Sequence, residues 1–244
     1  MHCSRALVLA LLAVTMAFMS PRLLGQTPTI DVQFATGTTY TGAAVIGSGG
    51  DVWNKLSAAS GGPTALNNVG GASSGASITW SSYRLFCGAI FGFGSTSSAN
   101  LMRCYLVALQ PNASGTITFA GLTPNASYRL YVYTQGDSAT AGRRLTVTPA
   151  IGSAVTSTAA VAAQSTFVAG QNYLQAAATT DGSGNLAFTY ASAASGLEAN
   201  VNAIQLVPLG GSTPPAVPTL TTFGAILLAC GLGWFGVRTV RRVA

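Results

Sequence analysis

The sequence predicts an all-β protein: a single antiparallel, jelly-roll-like β-sandwich lying between two hydrophobic end segments. Short runs of alternating apolar and polar residues, rich in β-branched and aromatic side chains, recur between clusters of Gly, Asn, Asp and Pro. No stretch between the hydrophobic ends repeats its apolar residues with the period of an amphipathic helix. Only 7% of the 244 residues are charged. Such low charge and so much Gly, Ala, Ser and Thr suit disorder, but the scattered Ile, Val, Leu, Phe and Tyr supply a core.

The chain begins with a positive residue, Arg5, followed by the apolar run ALVLALLAVTMAFM from Ala6 to Met19. That order is the n-region and h-region of a secretory signal peptide, assigned to residues 1–25 with cleavage expected after Gly25. A retained N-terminal anchor is the alternative, and export is expected in both cases.

Strands then follow in order. Ile30-Asp31-Val32-Gln33-Phe34 alternates, as do Ile117-Thr118-Phe119, Tyr128-Arg129-Leu130-Tyr131-Val132-Tyr133 and Leu145-Thr146-Val147. Leu186-Ala187-Phe188-Thr189-Tyr190 and Ala203-Ile204-Gln205-Leu206-Val207 complete the set. Turn formers stand between them at Thr123-Pro124-Asn125, Gln135-Gly136-Asp137 and Asp181-Gly182-Ser183-Gly184. An immunoglobulin-type sandwich needs only about 100 residues, whereas these strands spread over residues 26–209 without a linker. One larger sandwich is therefore expected, with two smaller ones divided near Ser97 as the alternative. Gly210-Gly211-Ser212-Thr213-Pro214-Pro215-Ala216 reads as a spacer that is flexible and then stiff.

Residues 217–244 combine a proline motif, an uncharged run from Leu220 to Val237, and the arginines Arg238, Arg241 and Arg242. The run is long enough to span a hydrocarbon core of about 30 Å. The arginines act as a stop-transfer cluster and favour a cytoplasmic C-terminus. Val217, Pro218, Thr219, Leu220, Phe223 and Gly224, followed by the span and the arginines, resemble the IPTL-CTERM protein-sorting signal of Gram-negative bacteria. That family begins Ile-Pro-Thr-Leu, with Trp-Gly two residues further on, so Val217 replaces Ile and Phe223 replaces Trp. The resemblance implies an exosortase-type transpeptidase as partner. It also implies an inner-membrane-anchored precursor whose domain is finally released or anchored at the cell surface.

The strand from Ile30, the run Gly50-Asp51-Val52-Trp53-Asn54, residues 114–137, Tyr173 and the closing Asn202-Ala203-Ile204-Gln205-Leu206 resemble a second group. They look like galactose-binding-like jelly-roll domains, which accompany such sorting signals. That resemblance implies a fold more than an activity.

Charge and chemistry narrow the function. The formal net charge of +6 belongs mostly to the ends. In residues 26–209, Lys55, Arg84, Arg103, Arg129, Arg143 and Arg144 face Asp31, Asp51, Asp137, Asp181 and Glu198. No basic stripe with interleaved aromatics exists, so nucleic acid is excluded as a partner. His2, the single histidine, leaves with the signal peptide, removing His-dependent triads and the commonest metal ligand. No catalytic residues and no cofactor are assigned, and the protein is expected not to be an enzyme. Asp51 is the candidate for holding a structural calcium through loop oxygens, although the repeated acidic spacing of such sites is absent. Cys87 and Cys104 form the candidate disulfide of an oxidising compartment, with two buried thiols as the alternative. Closing a loop of about 17 residues contributes roughly 3 kcal/mol in the chain-entropy model.

Two functions remain. The preferred one is a surface-sorted structural or adhesive protein, and the alternative is a carbohydrate-binding module for extracellular polysaccharide. For the latter, aromatic faces with neighbouring polar groups are the requirement. Asp51, Trp53 and Asn54, or Trp80 and Tyr83 near Arg84, are the candidate glycan contacts, while core filling is the competing role of both tryptophans. Mass spectrometry of the mature protein tests the sorting signal. The expected C-terminus lies near Pro218, and a population ending intact beyond Arg238 contradicts processing.

Overall fold

Fourteen strands follow one another along the chain in the computed structural model, which describes residues 28–88, 93–108, 114–136, 144–158, 165–193 and 198–210. The first five are β1 (Ile30–Phe34), β2 (Trp53–Leu56), β3 (Gly61–Asn67), β4 (Ser73–Ser81) and β5 (Arg84–Cys87). A 3-10 turn (Phe93–Ser95) and the short helix α1 (Ala99–Met102) precede β6 (Cys104–Ala108). Then come β7 (Gly115–Ala120), β8 (Ser127–Tyr133), β9 (Leu145–Pro149) and β10 (Val155–Thr156). The chain closes with β11 (Tyr173–Thr179), β12 (Leu186–Ser192), β13 (Ala199–Val201) and β14 (Ala203–Pro208). All six strands expected from alternation are present. Residues 1–25 and 217–244, which carry the expected signal peptide and sorting tail, lie outside the described residues. Among the described residues no helix is long and apolar enough to cross a membrane.

The strands form a five-stranded sheet, β11-β8-β14-β1-β2, and a six-stranded sheet, β10-β9-β12-β7-β4-β3. A three-stranded sheet, β13-β6-β5, is the third. Every ladder between named strands is antiparallel except one. β1 and β2 run parallel, with Asp31 opposite Trp53 and Gln33 opposite Lys55, which corrects the purely antiparallel expectation. The reason is local: residues 35–52 cross over the sheet before β2 begins, so the chain re-enters in the direction in which it left.

Both large sheets face one core. Ile30, Val32 and Phe34 of β1, Leu130 and Val132 of β8 and Ile204 and Leu206 of β14 come from one side. Ile78 and Trp80 of β4, Ile117 and Phe119 of β7 and Phe188 and Tyr190 of β12 come from the other. Fully burying each such side chain contributes on the order of 2 kcal/mol. The same cluster unites strands from both sides of Ser97, and β4 pairs with β7 and β1 with β14. The described residues between 28 and 210 therefore form one β-sandwich, not two modules divided near Ser97. Gly115 is required where it stands, since a Cβ there would lie 2.0 Å from the buried Tyr190 ring. Asn125, with φ 53°, takes the left-handed position of the turn between β7 and β8.

Cys87 and Cys104 are joined by a disulfide. They sit directly opposite each other in the β5–β6 ladder with Cα atoms 4.1 Å apart. The Gly88 N–H donates to Arg103 O just beyond them, so the pair occupies a closely approached, non-hydrogen-bonded position of the ladder. Replacing both by Ser is expected to lower unfolding free energy by about 3 kcal/mol. Guanidinium unfolding under oxidising conditions measures this, and coincident midpoints for the two proteins contradict it.

Candidate functional site

Strand periodicity sends alternate residues of the five-stranded sheet away from the core. The registers align them into two rows across all five strands. One row reads Trp53, Asp31, Gln205, Tyr131, Gln175, and the other Lys55, Gln33, Ala203, Tyr133, Tyr173. Neither row is simply solvent-facing. Tyr40, Phe93, Leu101 and Met102 pack with Trp53, Tyr133 and Ala203 into a second apolar cluster over the β2-β1-β14 side. Asp31, Gln33 and Gln205 are thereby completely buried.

Buried polar groups need partners, and the covering segment supplies most of them. The Tyr133 hydroxyl donates to Gln205 Oε1 and accepts from the Val45 N–H at 2.9 Å. Gln205 Nε2 donates to Asp31 Oδ2 at 3.0 Å and to Ile46 O at 3.3 Å. Gln33 Oε1 accepts the Tyr40 N–H at 2.8 Å, and Gln33 Nε2 donates to Asn100 O at 2.7 Å. Residues 40–46 are thus strapped to the sheet by side chains of three strands. Asp31 Oδ1 has no hydrogen-bond partner among the described residues. Burial pushes the Asp31 carboxyl up from 3.8 to about 7, against the Gln205 hydrogen bond and with help from the Asp51 charge. Burial likewise pushes the Tyr133 phenol well above its ordinary value. This network is structural in character, since it is sealed.

At the β8-β11 side the face is less covered. Tyr131 and Tyr173 are half-buried and stack, with ring centroids 6.4 Å apart and planes 28° apart. Gln175 lies opposite Tyr131 in the ladder, and Arg129 lies two residues away on the same face; both are exposed. Phe167 is half-buried and packs against Tyr133 at 5.1 Å. A ring shelf flanked by an amide and a guanidinium offers an apolar surface with hydrogen-bond donors at its margin.

The residues singled out from the sequence are scattered. Trp53 is buried beneath the strap, its indole N–H donating to Gly42 O at 2.9 Å. Trp80 is buried in the main core, donating to Ala58 O at 3.0 Å. Neither ring presents a face to solvent, as their core-filling role requires. Asp51 accepts from the Ser48 N–H and from Ser48 Oγ, so both carboxylate oxygens are engaged in its own turn. Asn54 joins strands, donating to Asp31 O and Asn67 O and accepting the Asn67 N–H. Tyr83 is 64% exposed. Among the described residues no group of three or more His, Cys, Asp or Glu side chains is placed to hold a metal ion.

The other carboxylates are engaged as well. Asp181 accepts from the Asn185 and Ser183 N–H groups, which hold its carboxyl below its ordinary value. Glu198 lies 3.5 Å from Arg84. Asp137 lies outside the described residues. Sequence reasoning missed Tyr131 and Tyr173. The alternation of Arg129, Tyr131 and Tyr133 was the available signal, but it does not say which strand lies beside β8.

No family model and no curated protein matches the chain. Several solved structures share parts of its shape, among them the following three. The extracellular domain of ANXUR2 from Arabidopsis thaliana is 11% identical, with 75% of this chain and 41% of that one covered and a TM-score of 0.43. This chain thus spans less than half of that domain's length. A family 35 carbohydrate binding module from Clostridium thermocellum is 18% identical, covering 54% of this chain and 90% of that one, with a TM-score of 0.32. An exo-beta-1,3-galactanase from Phanerochaete chrysosporium, solved with galactose, is 17% identical, covering 58% and 32%, with a TM-score of 0.30. At such TM-scores the likenesses carry no argument about function.

The sealed carboxyl has a pH signature. The folded-state value lies above the unfolded one, so folding takes up a proton between about pH 4 and 7. Stability is expected to fall as pH rises through that window, by on the order of 1 kcal/mol per pH unit, and to level off above it. Asp31→Asn keeps an acceptor for Gln205 and removes the charge. It is expected to raise Tm at pH 8 and flatten the profile. A difference in Tm between variant and wild type that is the same at pH 5 and pH 8 contradicts the assignment.

Proposed function

We propose that this protein is an exported, non-enzymatic, adhesive β-sandwich that binds extracellular polysaccharide through the Tyr131–Tyr173 shelf. The stacked, half-buried tyrosine pair with Gln175 and Arg129 at its edge carries the reading. A pyranose ring stacks its C–H face on an aromatic plane while amide and guanidinium groups meet its hydroxyls. Tyr131 projects from β8 and Tyr173 from the edge strand β11 hydrogen-bonded along it, so the shelf is preorganised and loses little entropy on binding. Among the described residues the carboxylates are engaged elsewhere: Asp31 is sealed, Asp51 and Asp181 are held within their own turns, and Glu198 pairs with Arg84.

Within this proposal the fold is jelly-roll-like and of the galactose-binding-like kind. Its neighbouring strands are mostly distant in sequence, as β14 beside both β8 and β1 illustrates. Residues 217–244 act as the sorting signal, read by an exosortase-type membrane enzyme. The ordered succession of Pro218-Thr219-Leu220, an uncharged span and three arginines supports this part.

A glycan array with the full chain tests the shelf. Tyr131→Ala and Tyr173→Ala are each expected to weaken binding of soluble oligosaccharides at least about tenfold, equivalent to 1.4 kcal/mol. Tyr173→Phe retains the ring and is expected to bind like wild type. Absence of binding to every glycan, or binding by the two Ala variants as tight as that of wild type, rejects the reading.

A further inference from the structure

The six-stranded sheet turns a second face to solvent, and that face is chemically unlike the first. None of its strands, β3, β4, β7, β9, β10 and β12, contains an Asp, Glu, Lys, Arg or His. Soluble proteins ordinarily intersperse charge over such a surface to prevent association. In its place stand hydroxyls in register. Thr148, Thr189, Thr116 and Ser81 form one row across β9, β12, β7 and β4, and all four are exposed. Thr118 and Thr79 pair in the adjacent row. Neighbouring positions in a row are therefore spaced by the strand separation of about 4.8 Å, and the rows by two residues, roughly 7 Å. Within the row the Ser81 and Thr116 hydroxyls hydrogen-bond each other at 2.7 Å. Over β7, β9 and β12 the surface forms a shallow groove of about 550 Å³, lined by threonines, Ala150, Ala187, Pro149 and Phe188.

The composition selects the partner. Protein interfaces concentrate aromatics, Met and Arg at their centres and are depleted of Ser and Ala, which this face does not match. Nucleic acids demand cations for their phosphates, and the sheet has none. Each threonine offers a donor, an acceptor and a methyl group, which complements the mixed O–H and C–H surface of a neutral sugar polymer. Individual contacts of this kind are weak, and without an exposed ring they hold a ligand only when many are made at once. An ordered surface of parallel chains allows that, whereas a free oligosaccharide does not.

We propose that the outer face of the six-stranded sheet is a second binding surface, specific for insoluble, neutral, ordered polysaccharide. It shares with the shelf only the chemical class of the ligand. The two faces belong to different sheets of one sandwich, so one molecule engages two polymers at once and crosslinks them.

Pelleting of the full chain with microcrystalline cellulose and with chitin tests the proposal. Thr116→Val/Thr189→Val removes two hydroxyls while keeping shape and strand preference, and circular dichroism and Tm confirm folding. Wild type is expected to pellet with at least one of these polymers. The double Val variant is expected to lose at least about tenfold in affinity. Tyr131→Ala is expected to pellet still, although its binding of soluble oligosaccharides is weakened. Equal pelleting of wild type and the double Val variant overturns the proposal, as does failure of wild type to pellet with either polymer. A dimer of the free chain that Thr116→Lys/Thr189→Lys dissolves also overturns it, because the face then serves a second copy. Soluble-glycan binding that depends on Tyr131 is unaffected by these last outcomes and continues to report on the shelf alone.

Discussion

Asn202 is the point on which the arrangement of the sheets depends. There the chain leaves β13 in the three-stranded sheet and enters β14, the centre of the five-stranded sheet. Its buried side chain accepts the Gln135 N–H at 2.6 Å and reaches Met102 O, Cys104 O and Gln135 O at 2.8 to 3.1 Å. Its backbone bonds Phe34 and Tyr133. One residue therefore ties β1, β8, the end of α1 and the start of β6. An apolar substitute would leave several buried carbonyls and an N–H without partners, each costing about 1–3 kcal/mol.

The register set at Asn202 determines what the outer face contains. Side chains alternate with a period of two, so a slip of one residue in β14 would send Gln205 into the core and Ile204 outward. With the observed register, Gln205 meets Asp31 on one side and Tyr131 on the other. The strap over residues 40–46 then finds its hydrogen-bond partners at Tyr133, Gln205 and Gln33. The buried Asp31 is the strained member of this set. Its carboxyl is held where desolvation favours the protonated form, and one of its oxygens lacks a hydrogen-bond partner among the described residues.

The two large sheets treat their outer faces oppositely. The five-stranded sheet carries Asp31, Lys55 and Arg129, is largely covered, and leaves the Tyr131 and Tyr173 rings half-buried beside β11. The six-stranded sheet carries no charge and is exposed across its middle strands. Its edge strand β3 contains Pro63 and two register irregularities. These blunt the edge against pairing with another chain, a task that charge performs elsewhere.

The sequence by itself determined the all-β class and six strands, because alternation and turn formers act through local sterics and burial that neighbouring residues encode. It also identified the two cysteines that pair and the competing core role of Trp53 and Trp80. Its strand-by-strand reading gave no sign that Asp31 and Gln33 are buried on both faces of β1, since a polar residue in an alternating strand ordinarily faces water. Only the tertiary structure decided the parallel β1–β2 pair, the neighbours of β8 and the rows that bring Tyr131 to Tyr173 and Thr116 to Thr189. The physical reason is that these are contacts between strands distant in the chain. Their register is selected by packing of the whole core and by the Asn202 node, which no window of sequence contains.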